Sequence, residues 1–363
     1  MYQHQHKNWP EFTWDNATLI PYVSMIRDLQ GRLIGRMEGL GFELREEAEL
    51  ETLTEDIVKT SAIEGEFLNT DEVRSSVARR LGLDISGLPE ASRDVEGVVE
   101  MMLDATQSYE DPISKDRLCG WHSALFPTGR SGMQRITAGE WRKGPMQVVS
   151  GPMGREKVHY DAPEAGRLEP EMNQFMLWFN SETDLEPVIK SAISHLWFVS
   201  IHPFDDGNGR IARAIADLQL ARADRTRQRF YSMSAEILNS KKEYYAILES
   251  TQKGSMDINQ WIIWFFQRLF DALEASDKTL SKVLVKARFW EQHKTTQFNE
   301  RQIKMINILL GDFVGKLHSS KWAKMTKVHR DTARRDIQDL MEKGILTVSG
   351  EGGRSTNYLL NLK

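Results

Sequence analysis

The chain has 363 residues, with 47 basic and 52 acidic side chains and a net charge of −5. That length predicts two or three domains rather than one small core, and 40% hydrophobic with 27% charged residues excludes a disordered chain. A single cysteine, Cys119, excludes an internal disulfide and a cysteine-rich zinc site; no apolar run reaches the ~18 residues of a membrane span, and the opening MYQHQHKNWP lacks the layout of a secretory signal, so a cytoplasmic protein without membrane partners is expected.

In chain order, His4 and His6 fall in a polar N-terminus expected to be mobile. Apolar spacing then predicts helices over 21–40, 46–62, 96–109 and 115–125, the second with Leu50, Leu53, Ile57 and Val58 on one face. Segment 147–160, QVVSGPMGREKVHY, breaks the helical pattern. Two strand-like pieces around a Gly/Pro turn predict a hairpin. Two strands alone are marginally stable, so this one reads as a functional flap rather than half of a sheet. Helices follow over 170–180, 187–201, 211–223, 241–252 and 257–273; Pro187 suits a first helical turn, and the apolar WIIWFFQRLF reads as core. A polar linker is expected over 276–299. The tail from Asn299 carries 12 basic and 7 acidic residues, a net of +5. Its three predicted helices (301–310, 319–325 and 328–343) and terminal hairpin have the layout of a winged helix-turn-helix. The expected divisions are 1–105, 106–275, the linker and 300–363. The expected fold class is mainly α.

The informative segment is HPFDDGNGRIAR, from His202 to Arg213. Gly207, Asn208 and Gly209 tolerate left-handed backbone angles. Placed before a helix, they turn successive N–H groups toward one spot, to which the helix also points its positive end. Arg210 and Arg213, three apart, share a helix face and suit a polyphosphate. Asp206 supplies a hard oxygen ligand of the kind Mg²⁺ takes beside phosphates. His202, at the end of the preceding helix, can take a proton from a hydroxyl. Phe204 reads as the apolar anchor of the loop. A surface turn with scattered charges is the bland alternative, and the coincidence of base, carboxylate, nest and paired arginines within twelve residues argues against it.

HPFDDGNGRIAR matches every defined position of H-x-F-x-[DE]-G-N-G-R-x-x-R, and the chain resembles the Fic family there. The resemblance implies a helical Fic core that transfers AMP from ATP, with Mg²⁺, to a Ser, Thr or Tyr hydroxyl of a target protein. On this chain His202 resembles the base and Asp206 the metal ligand. Gly207, Asn208, Gly209 and Arg210 resemble the α/β-phosphate cradle, and Arg213 resembles the γ-phosphate contact. Thr60-Ser61-Ala62-Ile63-Glu64-Gly65 (60–65) resembles the family's inhibitory motif. It implies that Glu64 pairs with Arg213, expected here as a bidentate bridge, and it leaves open a role for Glu64 in AMP removal. Gly65 as a plain helix cap fits the same residues. The hairpin 147–160 resembles the family flap, which holds its target by strand addition, with Ser150 and Gly151 placed to touch nucleotide. Tyr244 and Tyr245 resemble a pair near the adenine, and ordinary helix packing explains them equally well. Residues 9–33 resemble the N-terminal helical segment of many bacterial Fic proteins.

Other readings compete. Relatives with altered motifs transfer phosphate or phosphocholine, but every defined position is intact here. The nearest P-loop match, at Gly311, has one spacer too few and Leu317 in place of Ser or Thr. A DNA-binding regulator is the alternative from another class. It rests on Lys327, Arg330, Arg334 and Arg335 early in the candidate recognition helix, and a tail used for protein contact competes with it. Self-modification and a homodimer complete the expected partners. His195 reads as a packed core histidine and Cys119 as a small buried residue.

Overall fold

The computed structural model describes residues 1–83, 89–151, 155, 157–311, 313, 315–349 and 356–361, without the side chains of Glu43, Asp277, Lys278, Thr279 and Lys282. The predicted flap turn (152–154 and 156) and the tip of the terminal hairpin (350–355) lie outside these residues. Two units divide the chain, Met1–Asp277 and Lys278–Lys363.

The first unit opens with α1 (Asn16–Glu38), α2 (Phe42–Ile63), α3 (Thr70–Arg80), α4 (Arg93–Gln107) and α5 (Lys115–Leu125). Two hairpins follow, β1 (Arg130–Ser131) with β2 (Gln134–Arg135), and β3 (Gln147–Ser150) with β4 (Lys157–Asp161). Then come α6 (Leu168–Asn180), α7 (Pro187–Ile201), α8 (Asn208–Asp224), α9 (Met233–Asn239), α10 (Lys241–Gln252) and the first part of α11 (Asn259–Gln292). The centre is the pair α7 and α8. Every residue of α7 from Val188 to Ile201 is buried, the mark of a helix with neighbours all round. Trp261 on α11 donates its indole N–H to Ala192 O at 2.8 Å. Gly97 marks a close approach between α4 and the end of α5: a Cβ there would stand 1.8 Å from Ala124 O. No helix among the described residues is long and apolar enough to cross a membrane.

Several expectations are corrected. The N-terminus is fixed, not mobile. His4 is buried, edge-on to Tyr160, with Nδ1 3.1 Å from the Tyr160 hydroxyl. Trp9 donates to Glu171 at 2.6 Å, and Thr13 exchanges backbone bonds with Met256 and Ile258. Aromatic rings supply the burial that the polar composition concealed. The first helix begins five residues before Pro21, because Asp15 accepts the Ala17 N–H and caps it there. Helices α3 and α9 were not expected: α9 is short and α3 mostly polar, and their caps (Asn69 and Ser232) carry the signal. The stretch read as linker is helical as far as Gln292.

The second unit contains α12 (Glu300–Leu310), α13 (Ser319–Thr326), α14 (Arg330–Glu342), β5 (Leu346–Ser349) and β6 (Asn357–Leu360). The two strands pair antiparallel from Leu346↔Leu360 to Ser349↔Asn357. Met305, Ile306, Trp322, Ala333, Ile337 and Leu340 fill its core. Asp336 ties the helices by accepting two bonds from Arg301 and one from Asn299. Lys327, Arg330, Arg334 and Arg335 are exposed.

Candidate active site

Helix α7 ends because Pro203 disfavours helical angles at the residue before it. That residue, His202, adopts a left-handed conformation at φ 53°, which a non-glycine residue rarely takes. Its Nδ1 lies 3.1 Å from Val199 O. A carbonyl only accepts, so Nδ1 carries the proton and Nε2 keeps a lone pair. Burial lowers the pKa of His202 to about 4, so the ring is neutral near pH 7.

The loop is stitched from several directions. Asn208 accepts the Phe204 N–H at 3.0 Å and donates back to Phe204 O at 2.8 Å. Phe204 is fully buried, stacked on His122 at 4.1 Å and packed against Trp141, as an anchor requires. Arg142, absent from the sequence reading, is a clamp. Its Nε donates to His202 O at 2.8 Å, its backbone N–H to Pro203 O at 2.9 Å, and its other nitrogens to Gly144 O and Pro163 O. Asp206 accepts the Gly207 N–H at 2.6 Å and a close bond from Ser131 in the β1–β2 hairpin.

Gly207 has φ 76°, in the left-handed region, and α8 starts at the next residue. Arg210 and Arg213 project from the first turns of α8, both buried. Two acids from the end of α2 meet them. Gly65 (φ 87°) closes α2 with Glu66 N→Ser61 O and Gly65 N→Ala62 O bonds, a Schellman arrangement. The turn sets Glu64 Oε1 2.8 Å from Arg213 Nη2 and Glu66 Oε2 2.6 Å from Arg210 Nη1. The Glu64 contact is not bidentate: only Nη2 reaches Glu64, while the Thr60 hydroxyl accepts from Arg213 Nε at 2.7 Å and its carbonyl from Nη2 at 3.0 Å. Tyr245 reaches the second Glu64 oxygen at 3.3 Å. Glu66 was missed by the sequence reading. Its position two residues beyond Glu64, across a left-handed glycine, was the available signal.

Arg210 Nε and Arg213 Nη1 are buried without a hydrogen-bond partner among the described residues. Two orphaned guanidinium donors beside a helix N-terminus fit an anionic group of several phosphates. Asp206 offers one carboxylate, which suits a cation that keeps most of its ligands from phosphates and water. No cluster of three or more His, Cys, Asp or Glu is placed to hold a metal among the described residues.

The other predicted residues are spread around this centre. Tyr244 is buried, with its hydroxyl 3.0 Å from His195 Nε2, while Tyr245 is 40% exposed. His195 lies fully inside, and burial holds its pKa near 3. Ser150 ends β3 beside Gly151, and its hydroxyl lies 2.5 Å from His159. The hairpin register shifts between Val148 and Val149. Burial raises the Cys119 thiol to about 11, which leaves it protonated and unreactive at neutral pH.

Residues 112–220, which include this site, match the Fic/DOC family, and residues 2–83 match a domain of unknown function (DUF4172). Protein adenylyltransferase Fic of Aedes aegypti is 28% identical over 186 residues, 48% of this chain and 34% of that protein. The protein of the same description from Drosophila ananassae is 25% identical over 212 residues, 58% of this chain and 39% of that one. The chain therefore spans well under half the length of the curated relatives it matches. A Fic family protein from Desulfovibrio desulfuricans G20 superposes with a TM-score of 0.51 at 22% identity, covering 94% of this chain and 97% of that one. A Fic domain containing signaling protein from Bacteroides thetaiotaomicron gives 0.52 at 20% identity, covering 72% and 97%. The chain thus carries a Fic/DOC-type fold, a mainly α core with small β-hairpins.

Proposed function

We propose that this protein is an adenylyltransferase that moves AMP from ATP to a hydroxyl of a protein. One observation carries the reading: a neutral imidazole with its Nε2 lone pair free stands four residues before Asp206, at the mouth of a helix N-terminus lined by two buried arginines. Nε2 takes the proton of the incoming Ser, Thr or Tyr hydroxyl. The oxygen attacks the α-phosphorus and pyrophosphate leaves. Backbone N–H groups that open α8 cradle the inner phosphates, and Arg213 holds the outermost. Asp206 would hold Mg²⁺, whose contribution is to neutralise phosphate charge. Arg142 keeps His202 in place by binding its carbonyl. The flap between β3 and β4 offers strand edges to an extended target segment.

Glu64 restrains this reaction in cis. While it pairs with Arg213, that guanidinium is taken, and Tyr245 and Thr60 hold the pair together. Glu66 does the same to Arg210. Glu64→Gly releases a charge-assisted bond of about 1.5–3 kcal/mol, so transfer rises about 10- to 100-fold. The test is incubation of the Glu64→Gly chain with labelled ATP, Mg²⁺ and a cell lysate, followed by mass spectrometry. Proteins heavier by about 329 Da per site are expected, and none when His202→Ala is added. Transfer that is unchanged in Glu64→Gly, or that survives His202→Ala at the same rate, contradicts the reading.

A further inference from the structure

About two turns before Glu64, the seam between α2 and α8 brings two acids together. Asp56, Thr60 and Glu64 follow at four-residue spacing along α2 and its cap, and Arg213 and Asp217 do so on α8. The helices run antiparallel there, so Glu64 and Thr60 meet Arg213, and Asp56 meets Asp217. Both acids are buried, at 5% and 1% exposure. Asp56 Oδ1 accepts the Ser232 hydroxyl and, at 3.2 Å, the Ser234 N–H. Asp217 Oδ1 accepts Arg229 Nη2 at 2.7 Å. Asp217 Oδ2 is buried with no donor among the described residues, yet the Asp56 carboxyl lies within hydrogen-bond reach of this side chain. Two carboxylates only accept, so they can bond each other only through a proton. The charged groups facing Asp217 are Asp56 from α2, Arg213 one turn back on α8, and Arg229 from the segment between α8 and α9. Arg229 also serves Asp224 at 3.5 Å and so does not cancel the Asp217 charge alone. From α7, the titratable neighbour of Arg213 is His195, which is neutral. Burial first, and the Asp56 charge second, raise the Asp217 carboxyl to about 8.

We propose that Asp56 and Asp217 form a proton-held rung of this seam, and that losing the proton loosens the Glu64 turn from Arg213. In the closed seam one proton lies between the two carboxyls. When α2 lifts, water reaches Asp217, its carboxyl returns toward 3.8, and the proton leaves. The closed seam therefore binds one proton more than the open seam. Opening becomes about tenfold easier per pH unit between about pH 4 and about pH 8. Above that window both forms lack the proton and the dependence ends. Within the adenylyl-transfer reading, on which this last step rests, the pair makes the restraint by Glu64 tight in mildly acidic and slack in mildly alkaline surroundings.

Hydrogen exchange on the full chain, with no nucleotide, tests the rung. Wild-type amide protection over 57–63, corrected for the intrinsic pH dependence of exchange, should fall about 100-fold from about pH 6 to about pH 8 and level off beyond. Two near-isosteric variants remove the shared proton. Asp56→Asn keeps an acceptor for Ser232 and Ser234 and gives Asp217 Oδ2 an N–H donor at every pH. Asp217→Asn keeps an acceptor for Arg229 and donates to Asp56. Protection in each should be equal at the two pH values. Equal protection in the wild type, or a fall as steep in either variant, overturns the rung. A second measurement follows AMP transfer to lysate proteins over the same range: the wild-type rate should rise by about the same factor, and the Asp56→Asn rate should not. Identical profiles for the two overturn the link to Glu64. Should protection fall in the wild type alone while neither wild type nor Glu64→Gly transfers AMP, the adenylyl-transfer reading fails and the rung stands.

Discussion

His202 is held by its backbone as firmly as by its ring. Arg142 binds its carbonyl, Pro203 ends the helix behind it, and Val199 O fixes the tautomer. Burial depresses its pKa from 6.5 to about 4. The sign of the consequence is definite: a depressed histidine pKa keeps the neutral, proton-accepting form dominant at every pH above about 4. In the Glu64→Gly background, kcat/KM for transfer should therefore stay flat from pH 8 down to about 5 and fall only toward pH 4. A half-maximal rate at pH 6.5 would show an unshifted imidazole and contradict this account of His202. The residues of the loop were legible because they are contiguous, and a base, a carboxylate, small residues and two arginines at helical spacing state their chemistry locally. Arg142 was not, since it meets its partner from 60 positions away, and no local pattern distinguishes it from other polar residues.

Elements bring distant groups together. The turn after α2 delivers Glu64 and Glu66 to successive arginines of α8 because Gly65 takes a left-handed angle. The α4–α5 contact depends on the missing side chain of Gly97, whose added Cβ would stand 1.8 Å from Ala124 O. Gly97→Ala should cost about 1–3 kcal/mol through overpacking and lower the thermal midpoint by at least about 2 °C. An unchanged midpoint in calorimetry would mean that the two helices do not approach so closely. Long periodic helices such as α2, α5 and α7 were readable from apolar spacing. Helix α9 offered too few turns for a period to emerge, α3 (TDEVRSSVARR) has too few apolar residues to mark one, and α11 runs past its apolar stretch into residues whose polarity suggested a linker. The N-terminus deceived for the opposite reason: its few aromatic rings find a buried place only once β4 and α6 exist to receive them.

At the scale of the molecule, the first unit gathers the pinned N-terminus, the Glu64 turn and the candidate site around α7 and α8. The stretch that matches a domain of unknown function holds both the pinned N-terminus and the Glu64 turn. It is in contact with the β4 side of the flap through Tyr160 and with α8 through Arg210 and Arg213. Such a region can govern when the two buried guanidinium groups become available. The decisive measurement is a crystal structure of the Glu64→Gly chain with Mg²⁺ and a non-transferable ATP analogue. The outermost phosphate should lie on Arg213, the inner ones on the N–H groups that open α8, and the α-phosphorus should face His202 Nε2. A triphosphate bound elsewhere, with the turn between α7 and α8 vacant, would contradict the assignment.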